Sequence, residues 1–391
     1  MTCRAVLFAI SMLAVMPRAV YAQRTMSDVL GFLLTNRSVA TDDFQRDEQA
    51  AAATRDTMTR FLLAELGTLP VSSPATGFTY RLDPTLGADV RSSASFGPFF
   101  LQRSLTVGGG QTSLGVSYQH ASFTRLDGRA LRDGTLVATA SRLRGQTEPF
   151  DVETLALRMD ADTVTAAATH GLTDRFDVTV AVPLVSLKLQ GERTDVYRGI
   201  PSLQATASAT ASGLGDILVG AKYNAYRRGG GGVAIGADVR LPTGDETNLL
   251  GAGQASVVPR VISSFDRDRL AVHGEVSYVT GGLSEAVEYG GALSFAAGSR
   301  VTVGGEVLGR RLASGGRLVD SVLANPHLVG VDTIRLVGTA EPTSRLAVVG
   351  GFRWNVASRW MLTASVLRSI TTSGLTADWV PTIALDYSFG K

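Results

Sequence analysis

The sequence ends on Trp379-Val380-Pro381-Thr382-Ile383-Ala384-Leu385-Asp386-Tyr387-Ser388-Phe389, where every odd position is apolar or aromatic. The even positions are Val, Thr, Ala, Asp and Ser. Successive side chains of a strand point to opposite faces, so this period of two places the large apolar groups on one face. A strand that crosses a bilayer needs about 9–11 residues, with an apolar outer face and aromatic residues near the interfaces. The stretch therefore predicts a membrane-spanning closing strand, with the last strand of a soluble β-sandwich as the alternative.

The start of the sequence has the features of a secretory signal peptide. Arg4 supplies a positive charge, and residues 5–16 form an almost wholly apolar run that is too short to span a bilayer. Val20-Tyr21-Ala22 fits a cleavage site before Gln23. Cleavage removes the single cysteine, Cys3, so we expect the exported chain to be stabilised without disulfides.

Composition narrows the class of protein. Loss of residues 1–22 removes Arg4 and Arg18 and no acidic residue, which leaves 35 of the 37 basic side chains against 35 acidic ones. A nucleic-acid-binding protein would show a basic excess, so this balance argues against that class. No apolar run after the signal peptide approaches 18 residues, as a membrane-spanning helix would require. The 43 glycines are spread through segments that otherwise alternate between apolar and polar residues.

Residues 23–92 differ in character from the rest of the chain. A segment from Phe44 to Leu66 is rich in Ala, Gln, Glu, Met and Leu, follows Asp43 as a cap and precedes Gly67, which together predict a helix. Residues 29–34 predict one or two further helical turns. Two placements are open for this segment: a periplasmic extension that packs at a barrel mouth, or a plug inserted in the lumen.

From about residue 111 the sequence alternates as strands that are joined by short and long connections in turn. Glycine, asparagine or charged residues form the short turns, and polar loops near 127–147, 191–213, 242–253 and 313–343 form the long ones. Twelve strands are predicted, at 112–125, 150–170, 175–190, 214–227, 232–241, 254–264, 269–281, 286–296, 300–312, 344–354, 359–371 and 377–389.

The even number of strands places both chain ends on the side of the short turns. Outer-membrane barrels show this separation of short periplasmic turns from longer extracellular loops. We therefore predict an all-β fold, a transmembrane antiparallel up-and-down β-barrel of about 12 strands with a short helical N-terminal extension. Residues 96–106 could add a strand, so 14 strands is the alternative. The predicted domains are the signal peptide at 1–22, the helical segment with its linker at 23–92 and the barrel at 93–391.

Within these strands, charged and polar residues recur at alternate positions, so that they lie on one face of each strand. Charges on the lipid face of a barrel cost about 2–4 kcal/mol each near the midplane, so a constant phase indicates the lumen face. The lumen candidates are Asp216, Lys222, Asn224, Asp238, Arg240, Arg260, His273, Glu275, Glu288, Glu306, Arg310 and Arg353. Aromatic residues at strand ends are predicted to form an interfacial girdle: Trp354, Trp360, Trp379, Tyr387 and Phe389.

Catalytic and metal-binding patterns are absent or weak, so we predict no enzyme activity, no metal and no cofactor. The four histidines lie on separate segments without metal-ligand spacing. His273 and Glu275 share one strand face, which is more typical of a lumen ion pair than of a catalytic pair. The glycine run at 229–232 lies in a hairpin and lacks the helix and lysine of a phosphate-binding loop.

Three segments carry a family resemblance. Gly171-Leu-Thr-Asp-Arg-Phe-Asp-Val178, Gly213-Leu-Gly-Asp-Ile-Leu-Val-Gly-Ala-Lys-Tyr223 and Leu241-Pro-Thr-Gly-Asp245 resemble the MetA-pathway of phenol degradation family, over roughly residues 150–390. The resemblance implies an outer-membrane barrel of transport type for aromatic or other apolar compounds, and it supplies no catalytic residues. Read physically, the three segments are a tight turn, a glycine-rich strand entry and a loop opening at Pro242.

Two functions are consistent with these expectations. The first is an outer-membrane channel that lets small apolar or aromatic molecules pass. The second is a structural or adhesive barrel without transport, whose lumen is closed by ion pairs. Both imply contact with outer-membrane lipids and insertion by the barrel-assembly machinery, an unidentified small molecule in the first case, and no nucleic acid.

Cleavage of the signal peptide is directly testable. The charged start, the apolar run and Val20-Tyr21-Ala22 predict that the exported protein begins at Gln23. N-terminal sequencing of the protein from outer-membrane fractions measures this, and a chain that begins at Met1 would contradict it.

Overall fold

A computed structural model describes residues 25–36, 43–68, 80–83, 88–91, 93, 95–357 and 359–390; the predicted signal peptide, residues 1–22, lies outside the described residues. Two helices come first, α1 (Met26–Leu34) and α2 (Phe44–Thr68). The strands that follow are β1 (Tyr80–Asp83), β2 (Ala88–Arg91), β3 (Gln111–Leu126), β4 (Arg129–Ala130), β5 (Leu136–Leu143), β6 (Asp151–Thr173), β7 (Phe176–Tyr197), β8 (Ile200–Leu214), β9 (Ile217–Arg228), β10 (Gly231–Leu241), β11 (Ser256–Arg267), β12 (Leu270–Gly281), β13 (Ala286–Ala296), β14 (Val301–Leu312), β15 (Arg317–Ala324), β16 (Val331–Thr339), β17 (Thr343–Ala357), β18 (Trp360–Ser369), β19 (Leu375–Ala377) and β20 (Val380–Gly390).

Twelve of these strands form a closed antiparallel ring. The ring follows the order β3, β6, β7, β9, β10, β11, β12, β13, β14, β17, β18 and β20, and β20 pairs back onto β3. The predicted barrel and the count of 12 strands are therefore confirmed. Residues 96–106 form no strand and lie inside the barrel, so the alternative of 14 strands is wrong and the wall begins at Gln111 rather than at residue 93.

The closing strand has the two faces that its sequence predicts. On the outer face Ile383 is 57% exposed, and Trp379, Leu385 and Phe389 are exposed with it. On the inner face every second residue from Val380 to Ser388 is buried. The apolar side chains of β20 therefore lie on the outer surface of the ring, as a lipid-facing wall requires.

Connections at one end of the ring are short, and most of those at the other end are long, as predicted; residues 282–285 between β12 and β13 are a short exception. The long connections are nevertheless not loops throughout, which corrects the prediction. Residues 127–147 contain β4 and β5, residues 191–213 continue β7 and form β8, and residues 313–343 contain the β15–β16 hairpin. Together with the distal halves of β6 and β7, these strands raise the wall on one side of the ring. We call this raised part the tall wall.

Along β6 and β7, the apolar and polar residues exchange faces. Up to Leu184, the outward residues of β7 are apolar, whereas the outward Lys188, Gln190 and Glu192 beyond it are polar and exposed. The inward residues change in the opposite sense, from Asp177 to Val185, Leu187 and Leu189. The outer apolar stretch from Phe176 to Leu184 is nine residues long, close to the number that crosses a bilayer. The inversion therefore marks where the strand leaves the membrane.

The helices lie inside the ring, against the inner face of the tall wall. Helix α1 contacts β7, β8 and α2, and α2 contacts β16. A capping box between Thr25 and Asp28 begins α1. Leu30 and Leu33 of α1 and Phe61 and Leu62 of α2 are fully buried in one apolar cluster with residues of β3, β6, β7 and β16. Strand β8 accommodates α1 because alanine, the smallest apolar side chain, recurs on its inner face.

The limits of the lipid-facing band are testable by charge substitution. Ile383→Arg places a cation in the middle of the outer band and should lower the free energy of unfolding by about 2–4 kcal/mol. Ile200→Arg is the matched control, because Ile200 is 73% exposed at the distal end of the tall wall and should tolerate the charge. Urea unfolding of both variants in lipid vesicles measures this. Equal destabilisation would contradict the placement of the band.

Candidate channel interior

The structure places the predicted lumen residues on the inner side of the wall. Nine of them lie on strands and are buried or half-buried side by side: Lys222, Asn224, Asp238, Arg240, Arg260, His273, Glu275, Glu288 and Glu306. Arg310 and Arg353 follow on β14 and β17, whereas Asp216 precedes β9 and binds a loop. The aromatic candidates lie outside: Trp354, Trp360 and Phe389 are exposed near the short-turn end, and Trp379 is exposed at the other. Tyr387 stacks between Trp360 and Phe389, with ring centroids 4.7 and 5.7 Å away.

Residues 95–107 cross the lumen without secondary structure, and we call them the inner strap. The Glu306 carboxylate accepts hydrogen bonds from three successive backbone N–H groups of the strap, those of Phe99, Phe100 (3.1 Å) and Leu101 (3.3 Å). Glu275 accepts a further one from Gln102, at 2.8 Å. A backbone without strand partners must satisfy its polar groups elsewhere, so these carboxylates replace the missing ladder.

Basic and amide side chains bind the carbonyl groups of the same strap. The Lys222 ammonium donates to the carbonyl oxygens of Arg103 (3.0 Å) and Leu105 (2.9 Å). Asn224 donates to that of Ser104 at 2.7 Å, and the Arg353 guanidinium donates to that of Pro98 at 2.5 Å. Lumen charges that the sequence suggested as pore lining are therefore used in part to hold an internal segment of the chain.

His273 and Glu275 do not form the expected lumen ion pair. His273 Nδ1 lies 2.9 Å from the Ser264 hydroxyl, whereas Glu275 accepts from Arg260 at 2.5 Å. The expectation was wrong because residues two apart on one strand face each find a closer partner on the neighbouring strand β11.

A cavity of about 200 Å³ lies between the inner strap and the end of α2. Its charged wall contains Arg260, which binds both Asp238 and Glu275, and Arg310, whose Nε lies 3.3 Å from Glu288. Its apolar wall comes from the strap and from four wall strands: Phe100, Leu101, Ala181, Leu218, Ala347 and Leu367. The cavity can thus hold a small molecule with one apolar side.

A second cavity of about 100 Å³ lies on the long-loop side of the first. Leu63 and Ala64 of α2 line it, together with residues 250–252 and 281–284. Four residues line both cavities: Leu218, Arg240, Glu288 and Arg310. The two spaces therefore meet at this layer of side chains, beside the end of α2.

Three further arginines of the wall bind the helices, and none of them is among the lumen residues predicted from the sequence. Arg193 donates to the carbonyl oxygens of Phe32 and Leu33 at 3.2 Å, at the end of α1. Arg335 binds Asp43 and Asp47 at the start of α2, and Arg345 binds Glu65 near its end. Arg193 was missed because residues 191–213 were interpreted as a loop. A charged residue in register with the inward Val185, Leu187 and Leu189 of β7 was the signal that could have revealed it.

The segments that carry the family resemblance join connections to the wall. The Asp216 carboxylate accepts from the backbone N–H of Gly244 (3.1 Å) and Ala252 (2.8 Å), which fixes the connection between β10 and β11. In that connection, hydrogen bonds from Thr247 and then Asn248 lower the pKa of Asp245. The same connection meets the start of α1, because Ser27 N–H donates to the Thr247 carbonyl at 3.3 Å.

Segment 171–178 binds the chain where it leaves the inner strap. Asp177 accepts from Val107 N–H at 3.1 Å, and Asp174 accepts from Gly109 N–H at 2.9 Å. The backbone at Gly171 passes so close to Gly108 that a β-carbon would overlap its carbonyl oxygen. Glycine at 171 is therefore required by close approach of two backbones.

Among the described residues, no group of three or more His, Cys, Asp or Glu side chains could hold a metal ion. In the same part of the chain, no helix has the length and hydropathy to cross a membrane.

Comparison with known proteins finds a family model that is similar to part of this wall. Residues 138–305, from β5 into β14, match the family model described as "Putative MetA-pathway of phenol degradation". The match contains the whole of the three segments that the resemblance used, so that prediction is confirmed. No curated protein sequence matches the chain.

Several solved structures of outer-membrane proteins resemble the chain at low identity. The COG4313 outer membrane channel from Pseudomonas putida F1 matches with 13% identity and a TM-score of 0.48, over 73% of this chain and 98% of that one. The CymD monoaromatic hydrocarbon channel matches with 10% identity and a TM-score of 0.36, over 73% and 90%. The P. putida toluene transporter TodX matches with 11% identity and a TM-score of 0.34, over 84% and 94%.

The close approach at Gly171 gives a sharp test. Gly171→Ala should displace the exit of the inner strap and destabilise the barrel by about 1–3 kcal/mol, as overpacking does. Gly298→Ala is the control, because a β-carbon at Gly298 meets nothing within 4 Å. The temperature at which each variant loses its folded gel mobility measures the effect. Equal temperatures would show that the strap does not pass this close to the turn.

Proposed function

We propose that the protein is an outer-membrane channel for small apolar or aromatic molecules, in which the two helices and the inner strap form a movable plug. The observation that carries the proposal is a lipid-facing ring that encloses two small cavities, which meet at the side chains of Leu218, Arg240, Glu288 and Arg310. The family match and the apolar wall of the first cavity support this substrate class. The proposal assigns no catalytic step to the chain.

The inner strap and the helices differ in how they block passage. The strap is attached by hydrogen bonds from wall side chains to its backbone, and water can replace such bonds if the strap moves. The helices bury an apolar cluster as well as their ion pairs, so salt alone should release them poorly. For a molecule to pass, α2 must therefore move away from the cavities, and breaking its ion pairs alone is not enough.

The outer membrane is the proposed location. A ring with an apolar outer band and long connections on one side is the form that outer-membrane barrels take. Export would use the signal peptide, and closure of β20 on β3 would occur with the barrel-assembly machinery. Exposed aromatic residues at both rims would contact lipid head groups.

Removal of the plug is the direct test of the proposed function. A chain that keeps residues 1–22 but lacks 23–92 should insert and show higher single-channel conductance than the full-length protein. Removal of 23–107, which also takes away the inner strap, should raise the conductance further. Planar bilayers with purified protein measure both. Insertion without conductance in either form would favour the structural or adhesive barrel, and loss of insertion would mean that the segment belongs to the wall.

A point variant tests the effect of weakening the attachment of the plug without removing it. Arg335→Gln removes the buried guanidinium that binds both Asp43 and Asp47, which weakens the attachment of α2 to the wall and should increase the frequency of openings. Arg317→Gln is the control, because Arg317 meets Glu341 only at 3.9 Å and both are exposed. Identical opening frequencies would contradict a gating role for α2.

A further inference from the structure

Arg240 is an inward-facing arginine at the layer where the two cavities meet. It lies on β10, faces inward and lines both cavities. In the ladder it stands between Leu218 of β9 and Ser256 of β11. Neither neighbour offers a carboxylate. The guanidinium of Arg240 is therefore presented to the space through which a solute would pass.

The other arginines of the first cavity already have partners. Arg260 binds Asp238 and Glu275, Arg310 binds Glu288 and the carbonyl oxygen of Ala64, and Arg345 binds Glu65. Among the described residues, none forms a hydrogen bond or a salt bridge with the guanidinium of Arg240. Three acids attract it electrostatically, Glu288, Asp238 and Asp216. Glu288 and Asp238 are bound by other arginines, and Asp216 accepts hydrogen bonds from the backbone of Gly244 and Ala252.

This pairing leaves one cation available although the numbers of charges match. Four arginines and four acids line the cavity, but Arg260 takes two of the acids. A guanidinium has five N–H donors in a planar fork that suits a carboxylate. Leaving such a group without a partner in a confined space is costly, so an anion that enters would be bound there.

The surroundings of Arg240 limit the size and character of that anion. Leu218 lies beside it, and Phe100, Ala181, Ala347 and Leu367 supply apolar surface to the same cavity. The volume of about 200 Å³ is below the roughly 300–1,000 Å³ of common ligand pockets. One ring with one short acidic group fits these limits better than a long chain or a polyanion.

We propose that Arg240 binds the carboxylate of a small aromatic acid, whose ring lies against Leu218 and Phe100. This inference rests on the proposed channel and specifies its substrate class: single-ring molecules that carry one negative charge. The ion pairs around Arg260 and Arg310 keep other cations from competing, so selection depends on one residue.

Binding of two matched probes tests this. Benzoate and benzyl alcohol have the same ring, but only benzoate carries a charge. Isothermal titration of the full-length protein in detergent should show benzoate binding that Arg240→Gln weakens roughly 10- to 100-fold, the usual effect of a charged hydrogen bond. Binding of benzyl alcohol should be unchanged. Arg269→Gln, in an exposed short turn, is the control and should bind benzoate as the unaltered protein does.

A second variant keeps the test decisive if Arg240→Gln fails to fold. Arg240→Lys retains the charge and should keep part of the preference for benzoate over benzyl alcohol. Equal binding of benzoate by the unaltered and the substituted proteins, or no benzoate binding at all, would overturn the inference. Conductance distinguishes the two proposals: a conducting barrel without benzoate preference overturns only the role of Arg240. A barrel that binds benzoate but never conducts overturns only the channel.

Discussion

Every backbone polar group in the hydrocarbon of a bilayer must find a partner within the protein, and this constraint shapes the whole molecule. An open sheet would leave two edges unpaired at a cost of several kcal/mol per group. The pairing of β20 with β3 removes both edges and makes the ring. Ring closure then determines which side chains face inward, because the period of each strand is two. The lipid-facing band and the charged interior thus both result from closure of the ring.

The same constraint explains the costly charges inside. The inner strap has no strand neighbour, so its N–H and C=O groups depend on Glu306, Lys222 and Asn224. Burying such side chains away from water is unfavourable unless they are bonded, and the strap supplies those bonds. Wall and strap therefore stabilise each other. Neither the charges nor the irregular segment would be tolerable alone.

Much of the wall could be predicted from sequence, and the reason is that lipid imposes a simple rule. The alternation in residues 379–389 fixed the closing strand, and the phase of Asp238, Glu275 and Glu306 identified the inner face. Residues 191–213 were misjudged because Ser, Thr and Ala are typical of loops. Above the membrane the outer face meets water and the inner face meets a helix, so small and polar residues also form strands there. Partners such as Arg335 with Asp47 join residues 288 apart, and no local pattern encodes them.

The tall wall makes the two sides of the barrel mouth unequal in height. Strand β7 continues for 13 residues past Leu184, roughly 40 Å along the strand, whereas β12 and β13 are joined by only residues 282–285. The tall wall therefore shields the mouth of the barrel, on its own side, from a body as large as another protein. On the opposite, low side no such wall rises beside residues 281–284, which border the second cavity. Whether a large molecule can reach the mouth of the barrel thus depends on the side from which it approaches. Selection by size can begin at the mouth, before the narrow lumen.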